Sequence, residues 1–368
     1  MSEAAPGRRP RWQHVLVRTV LAVLIFAVMG VGAGYLVIQH YFGQIGRVGD
    51  LPAPPTPTGS SSLRTSGQNF LLVGSDTRDN VGGGFGSADS IGGQRSDTVI
   101  LAHLPAGSAK PTLVSFPRDS YVQIPAYTDR AGATHPAHMD KLNTAFADDG
   151  YALLVRTIEQ LTGLTVNHYV EVNFAGFQRM VDALNGVTLC ARTTRNDPAN
   201  GASGGSNDFM TAGVHHNVSG AVALAFVRDR HSFPDQDISR ILDQQYFLAQ
   251  MIRKVESAGT LLNPFKLNAF LNAVTHSMRV DNGLSLGDIR TLVSRLRHSD
   301  PAHVRFVTVP FTTSNGSATI SGATASVVLL DAAKDKQLFD RLRTDTAGTS
   351  GHHAHSPGVS GKGLTCGA

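Results

Sequence analysis

Residues 69–78 read NFLLVGSDTR, and two further stretches follow the same plan: RSDTVILAHL at 95–104 and LVSFPRDSYVQIP at 113–125. In each, an apolar run long enough for a strand abuts a turn that carries Arg and Asp. Asn69 to Val73, Thr98 to Leu104, Thr112 to Phe116 and Tyr121 to Ile124 have the aromatic and β-branched content, and the flanking breakers, of strands. Helical patterns follow at Lys141 to Ala147 and Tyr151 to Leu161, with Gly150 between them and Gly163 as a stop. His168 to Val172 reads as another strand. Phe174 to Leu184 reads as an amphipathic helix ending near Gly186. Strands alternating with helices predict an α/β fold, a mixed central β-sheet layered by helices.

Further along, Ile238, Ile241, Leu242, Leu248, Ala249, Ile252 and Val255 form an apolar stripe at helical spacing, with Asp237 as cap and Arg253 and Lys254 at the favourable C-terminal end. Gly259 offers a stop. A helix near Leu286 to Leu296 and a strand near Val304 to Val309 complete the expected core, and no internal repeat is present.

Towards the N-terminus, Thr19 to Ile38 is a 20-residue run without a charge, preceded by Arg8, Arg9, Arg11 and Arg18. At about 1.5 Å per residue such a helix crosses a hydrocarbon core roughly 30 Å thick, and the upstream arginines favour a cytoplasmic N-terminus. The expected organisation is a cytoplasmic basic tail at 1–18 and a transmembrane signal-anchor at 19–38. An extracytoplasmic linker rich in Gly, Pro, Ser and Thr at 39–67, a functional domain at 68–345 and a flexible tail at 346–368 follow. This makes a single-pass protein of the cell membrane with its C-terminal domain outside the cytoplasm. A cleaved signal peptide is the rival reading, because Gly30, Gly32, Ala33 and Gly34 suit a protease; a buried soluble helix is the third.

The formal charge of +4 is largely an anchor effect. Without the first 40 residues, which hold four arginines and Glu3, the chain carries 28 basic and 27 acidic side chains. That balance gives no basic stripe for nucleic acid, and none is expected as a partner. Cys190 and Cys366 are the only cysteines, either paired or free. His352, His353 and His355 sit in a Gly/Ser-rich tail and read as solvated.

Chemistry resides in Arg/Asp clusters at chain turns: Asp76-Thr77-Arg78, Arg95-Ser96-Asp97, Arg118-Asp119-Ser120 and Arg228-Asp229-Arg230, with Arg240 in the long helix. Arginine's planar, permanently charged fork matches phosphoryl oxygens, and Asp76 and Asp97 are oxygen donors of the kind that hold Mg²⁺. Any single pair reads first as a turn-stabilising salt bridge or a solvated surface pair, and second as a catalytic element. Asp237 and Arg240 are an ordinary i,i+3 helix pair. Gly82-Gly83-Gly84 and Gly86 lack the GxxxxGK[ST] context of a phosphate loop, and Ser75 has no GxSxG elbow. Phe174, Phe177, Met180, Val181 and Leu184 read first as a core face and second as the border of a lipid pocket.

Taken in order, NFLLVGSDTR, RSDTVILAHL, LVSFPRDSYVQIP, KLNTAFADDG, VNFAGFQRMVDALNGV, ALAFVRDR and PDQDISRILDQQ resemble the LytR-CpsA-Psr family of bacterial cell-envelope proteins, over roughly Asn69 to Val255. The resemblance implies a transferase that takes a glycopolymer from an undecaprenyl diphosphate carrier and joins it to peptidoglycan through a phosphodiester. It implies Mg²⁺, or Mn²⁺ in its place, on Asp76 and Asp97. It places Arg118 on the diphosphate and Arg228, Arg230 and Arg240 around the phosphate head group. Arg95 and Asp119 share duties between catalysis, charge organisation and structure, while Lys141, Asn143 and Gln244 fall near the pocket. Two departures stand out: the Gly-rich interval after the first motif is long, and Asp243 occupies a place where some members have a basic residue before the paired glutamines. Hydrolysis of a polyprenyl diphosphate, and noncatalytic binding of an anionic glycopolymer, are the alternatives.

Overall fold

The structure, a computed structural model, describes residues 39–40, 43–53, 67–75, 96–106, 110–129, 131–195, 210–230, 232–233, 237–257, 264–285, 287–288 and 304–345. The chain divides into two compact units, Met1–Gln44 and Ile45–Ala368. In the first, Gln44 Nε2 lies 2.7 Å from His40 Nε2. Among the described residues no helix is long and apolar enough to cross a membrane; Thr19–Ile38 lies outside them.

The second unit begins with strands β1 (Gly46–Gly49), β2 (Gln68–Ser75), β3 (Ser96–Leu104), β4 (Thr112–Phe116) and β5 (Tyr121–Ile124). Short strands β6 (Tyr127–Thr128), β7 (Thr134–His135) and β8 (His138–Lys141) lead into helix α1 (Leu142–Thr162). Next come β9 (His168–Asn173), α2 (Phe174–Ala183), β10 (Val187–Ala191), β11 (Gly213–Val218), α3 (Gly220–Arg228), α4 (Asp237–Glu256) and α5 (Pro264–Thr275). The chain continues through β12 (Met278–Asp281), β13 (Arg305–Thr308), β14 (Phe311–Ile320), β15 (Ala323–Leu330) and α6 (Ala332–Arg343).

Seven strands make the central sheet in the order β1-β12-β9-β2-β3-β4-β13. It is mixed: β9 runs parallel to β2, β3 antiparallel to both β2 and β4, and β13 parallel to β4. The predicted mixed sheet layered by helices is therefore the observed architecture. The period of two along each strand assigns its two faces. Leu71, Val73, Val99, Leu101 and Tyr169 belong to a core that also takes in Leu153, Leu154 and Ile158 of α1 and Phe339 and Leu342 of α6. Leu72, Gly74, Thr98, Ile100, Val170 and Val172 alternate with them and line a cavity whose other wall comes from α2, α3 and α4.

Local signals explain the helix boundaries. Gly150 breaks α1 with φ 67° and ψ −149°, beside a non-helical Asp149, as the separation of the two helical patterns predicts. Gly163 ends the helix in the left-handed region at φ 63°, where a Cβ is disfavoured. Asn173 caps α2, its side chain accepting the Gly176 N–H at 2.8 Å. Gln245, fully buried, donates from Nε2 to Ser115 Oγ at 3.0 Å and lies 3.3 Å from Thr308 Oγ1, tying α4 to β4 and β13.

Several elements lie outside the sequence expectations. Gly46–Gly49, within the stretch composed like a spacer, forms the edge strand β1, parallel to β12. Arg47 Nη1 fixes it by donating to the carbonyls of Asp281 and Leu284 at 2.6 and 3.0 Å. The β14–β15 hairpin, α5 and α6 likewise have no counterpart among the expected elements. Most of the helix expected at Leu286 to Leu296, and the stop at Gly259, fall outside the described residues. Cys190 in β10 is disulfide-bonded; Cys366, the chain's other cysteine, is outside the described residues.

Candidate active site

The cavity between the sheet and helices α2, α3 and α4 encloses about 460 Å³. Its polar end gathers Asp97 from the start of β3, Arg118 from the turn after β4, Arg228 and Arg230 from the end of α3, and Arg240 and Gln244 from α4. Phe174, Phe177, Met180, Leu224, Phe247 and Met251 line the apolar part. The helix face read first as core thus borders the cavity with four of its residues, Phe174, Phe177, Met180 and Val181, whereas Leu184 is buried.

A chain of ion pairs fixes the polar end. Arg118 Nη1 donates to Asp97 Oδ1 at 2.6 Å, and its Nε lies 3.4 Å from Asp119 Oδ2. Lys141 Nζ sits 3.2 Å from the other oxygen of Asp119. Across the cavity, Asp237 Oδ1 stands 3.0 Å from Arg240 Nη2 and 3.3 Å from Arg230 Nε. The predicted helix pair is present, and it also ties two cavity arginines together. Asn143 acts through its backbone, its N–H donating to the Arg118 carbonyl at 3.0 Å. Gln244 Nε2 donates to the Val227 carbonyl at 3.2 Å, linking α4 to α3.

Among the described residues Arg118, Lys141, Arg228, Arg230 and Arg240 stand against Asp97, Asp119 and Asp237, so positive charge is in excess there. Burial lowers the Arg240 pKa to about 10, opposed by Asp237, while Arg118 adds repulsion. Burial likewise opposes the charge on Arg118, but Asp97 and Asp119 outweigh it and raise its pKa. For Asp119, burial is overcome by Arg118 and then Lys141, which hold the carboxylate below its ordinary range. Among the described residues the buried Arg240 Nε has no hydrogen-bond acceptor, and the buried Arg118 Nε faces Asp119 Oδ2 at 3.4 Å without bonding it. Buried donors in a region of excess positive charge call for anionic oxygens.

Asp76 and Arg95 lie outside the described residues. Asp76 follows Ser75, whose strand partner Ser96 is the neighbour of Asp97. Among the described residues no group of three or more His, Cys, Asp or Glu could hold a metal ion. Mg²⁺, however, keeps several waters and needs only one or two carboxylates beside substrate phosphates. Asp97, with one oxygen committed to Arg118, fits that chemistry.

Sequence reading left Arg195 without a role. Arg195 is fully buried, and its Nη1 donates to Asp243 Oδ2 at 2.7 Å and to Asp229 Oδ2 at 3.1 Å. Asp229, between two cavity arginines in sequence, is itself fully buried and turned to Arg195. The acidic Asp243 therefore has a defined partner; Arg192 Nη2 reaches its other oxygen at 3.3 Å.

The site is thus a cleft on one face of a mixed sheet, rimmed by arginines at one end and walled by apolar side chains at the other. The LytR_cpsA_psr family model matches residues 53–343, and the chain belongs to that family. It is 30% identical over 349 residues to the cell wall biosynthesis protein LcpA of Corynebacterium glutamicum, covering 86% of this chain and 64% of that one. It is 30% identical over 224 residues to the polyisoprenyl-teichoic acid–peptidoglycan teichoic acid transferase TagU of Enterococcus faecalis, covering 61% of this chain and 64% of that one. The chain thus spans less than two thirds of the length of these relatives. Among solved structures, the LytR-Csp2A-Psr enzyme from Actinomyces oris shares the fold at TM-score 0.59 and 19% identity, over 81% of this chain and 95% of that one. TagV of B. subtilis does so at TM-score 0.57 and 18% identity, over 78% of this chain and all of that one.

Proposed function

We propose that this protein transfers a glycopolymer from an undecaprenyl diphosphate carrier to peptidoglycan, forming a phosphodiester link. The observation that carries the reading is the two-part cavity: arginines and Asp97 at one end, and phenylalanine, leucine and methionine walls at the other. A lipid diphosphate has the complementary form. Its phosphates meet arginine forks in a site partly closed to water, and each methylene of its tail that is buried contributes about 0.8 kcal/mol. Membership of the family and the transferase name of TagU support the same class of chemistry.

In this reading Arg118 and the distal arginines Arg228, Arg230 and Arg240 clamp the diphosphate. A sugar hydroxyl of peptidoglycan attacks the phosphorus next to the glycopolymer. The bond from that phosphorus to the bridging oxygen breaks, and undecaprenyl phosphate leaves with the electron pair. The arginines stabilise the charge that grows on it. The hydroxyl proton passes to a carboxylate of the site. Asp97 and Asp119 are the candidates, and Arg118 and Lys141, by lowering the pKa of Asp119, make it the weaker base of the two. Asp97 and Asp76 would hold Mg²⁺ or Mn²⁺, which when bound neutralises diphosphate oxygens. Arg95 falls within the same motif as Asp97 and shares its duties between catalysis, charge organisation and structure.

The carrier is embedded in a membrane, and the uncharged Thr19–Ile38 run behind four arginines supports an anchor that keeps the domain beside it, outside the cytoplasm. The test is reconstitution of the purified chain with Mg²⁺, a lipid-diphosphate glycan and a peptidoglycan oligomer. A covalent conjugate is expected. No conjugate, under conditions where another transferase of the family produces one, would sink the assignment.

A further inference from the structure

Arg195 stands outside the cavity lining and outside every motif of the sequence, yet it is one of the largest fully buried side chains. Its guanidinium carbon lies 4.3 Å from the ring centroid of Phe226 and 4.6 Å from that of Phe233. One nitrogen, Nη1, bonds both Asp229 and Asp243. Among the described residues the remaining donors, Nε and Nη2, are buried without a hydrogen-bond partner, and the charge is compensated there by two carboxylates and two ring faces. Taking a guanidinium and two carboxylates out of water is costly, and replacing such a set with apolar groups is often neutral or stabilising. Stability alone therefore gives little reason for this cluster.

Its position gives a better one. Asp229 is the C-cap residue of α3 and separates Arg228 from Arg230. Asp243 lies on α4, three residues after Arg240 and immediately before Gln244. A single nitrogen of Arg195 thus joins the two segments that carry all three distal arginines. With Asp229 held inward, its neighbours Arg228 and Arg230 both line the cavity. Arg195 reaches this point from the chain after β10, where its N–H donates to the Met210 carbonyl at 2.7 Å.

We propose that Arg195 is a positioning residue: by pairing at once with Asp229 and Asp243 it sets the spacing of Arg228, Arg230 and Arg240 around the bound diphosphate. The proposal rests on the diphosphate site described above, but it concerns a side chain that does not touch the ligand. A lysine at 195 would keep the charge while losing the planar fork and the ring stacking. It could not hold both carboxylates in the same geometry.

The test compares wild type with Arg195→Lys, using geranylgeranyl diphosphate as the probe, and adds NMR of the arginine Nε–H groups. Arg195→Lys is expected to stay folded, to shift the Arg228, Arg230 and Arg240 resonances, and to weaken diphosphate binding on the order of tenfold. Should the lysine variant not fold, the triple variant Arg195→Met, Asp229→Asn, Asp243→Asn removes the buried charges together and is expected to fold with the same weakened binding. Unmoved arginine resonances with unchanged affinity in whichever variant folds would overturn the proposal. The NMR comparison decides it even if wild type binds no diphosphate, a result that would count against the transferase site instead.

Discussion

Arg118 is the residue on which most of the polar geometry converges, through Asp97, Asp119 and the backbone of Asn143. Arg118→Ala is expected to lower kcat by about 10² to 10³. Arg118→Lys should recover only part of this, because an ammonium is a point charge without a fork. Steady-state kinetics on folded protein checks both; wild-type kcat in the alanine variant would remove Arg118 from the reaction. Asp97, Arg118, Arg228, Arg230 and Arg240 were legible in the sequence because each sits where an apolar run ends or on a patterned helix. Gln244 came with its motif. Arg195 was not legible: it lies in the polar stretch RTTRND at 192–197 with no apolar run beside it to mark it, and its partners lie 34 and 48 residues away. The acidic Asp243 on the long helix, beside Gln244 and Gln245, was the one available hint of a buried cation nearby.

At the scale of the element, helix α1 carries a buried carboxyl that titrates. Glu159 is buried on it, and burial raises its pKa to about 7 despite a hydrogen bond accepted from the Val166 N–H. A carboxyl whose folded pKa lies above its unfolded value of 4.5 binds its proton more tightly when folded. Its contribution is therefore fully present below pH 4.5 and is lost as pH rises towards 7. Glu159→Gln keeps an acceptor for Val166 and cannot ionise. It is expected to be more stable than wild type above pH 7, by up to about 3 kcal/mol, and to flatten that part of the slope. Urea titrations across the range measure this, and parallel pH profiles for the two proteins would refute it. The core strands and α1, with its break at Gly150, could be read because buried apolar runs and glycine breaks leave local signals. The β14–β15 hairpin could not. Phe311–Ile320 is rich in Thr and Ser, and much of it remains exposed, so no apolar face marks it. Its place is set by a contact distant in sequence, the Val328 N–H donating to the Asp119 carbonyl at 2.9 Å.

For the molecule as a whole, the sheet has two different faces. One is packed by α1 and α6, and the other is held open under α2, α3 and α4 by the same alternation of side chains. Four segments far apart in sequence supply the polar end, so the cavity exists only once the sheet is assembled. The proposed anchor adds locality: a carrier and an enzyme confined to one bilayer meet at a raised effective concentration. Removing residues 1–38 is expected to raise the apparent KM for carrier in vesicles on the order of a hundredfold, with turnover on detergent-dispersed carrier unchanged. An equal KM in vesicles would show that the segment does not act as an anchor. The central claim is attack on the diphosphate by a sugar hydroxyl. It is tested most directly by mass spectrometry of the reconstituted reaction run in water enriched in oxygen-18. The expected product is a glycopolymer–peptidoglycan phosphodiester without heavy oxygen, released together with undecaprenyl phosphate. Free glycan phosphate carrying oxygen-18, with no conjugate, would show that water is the acceptor and contradict transfer.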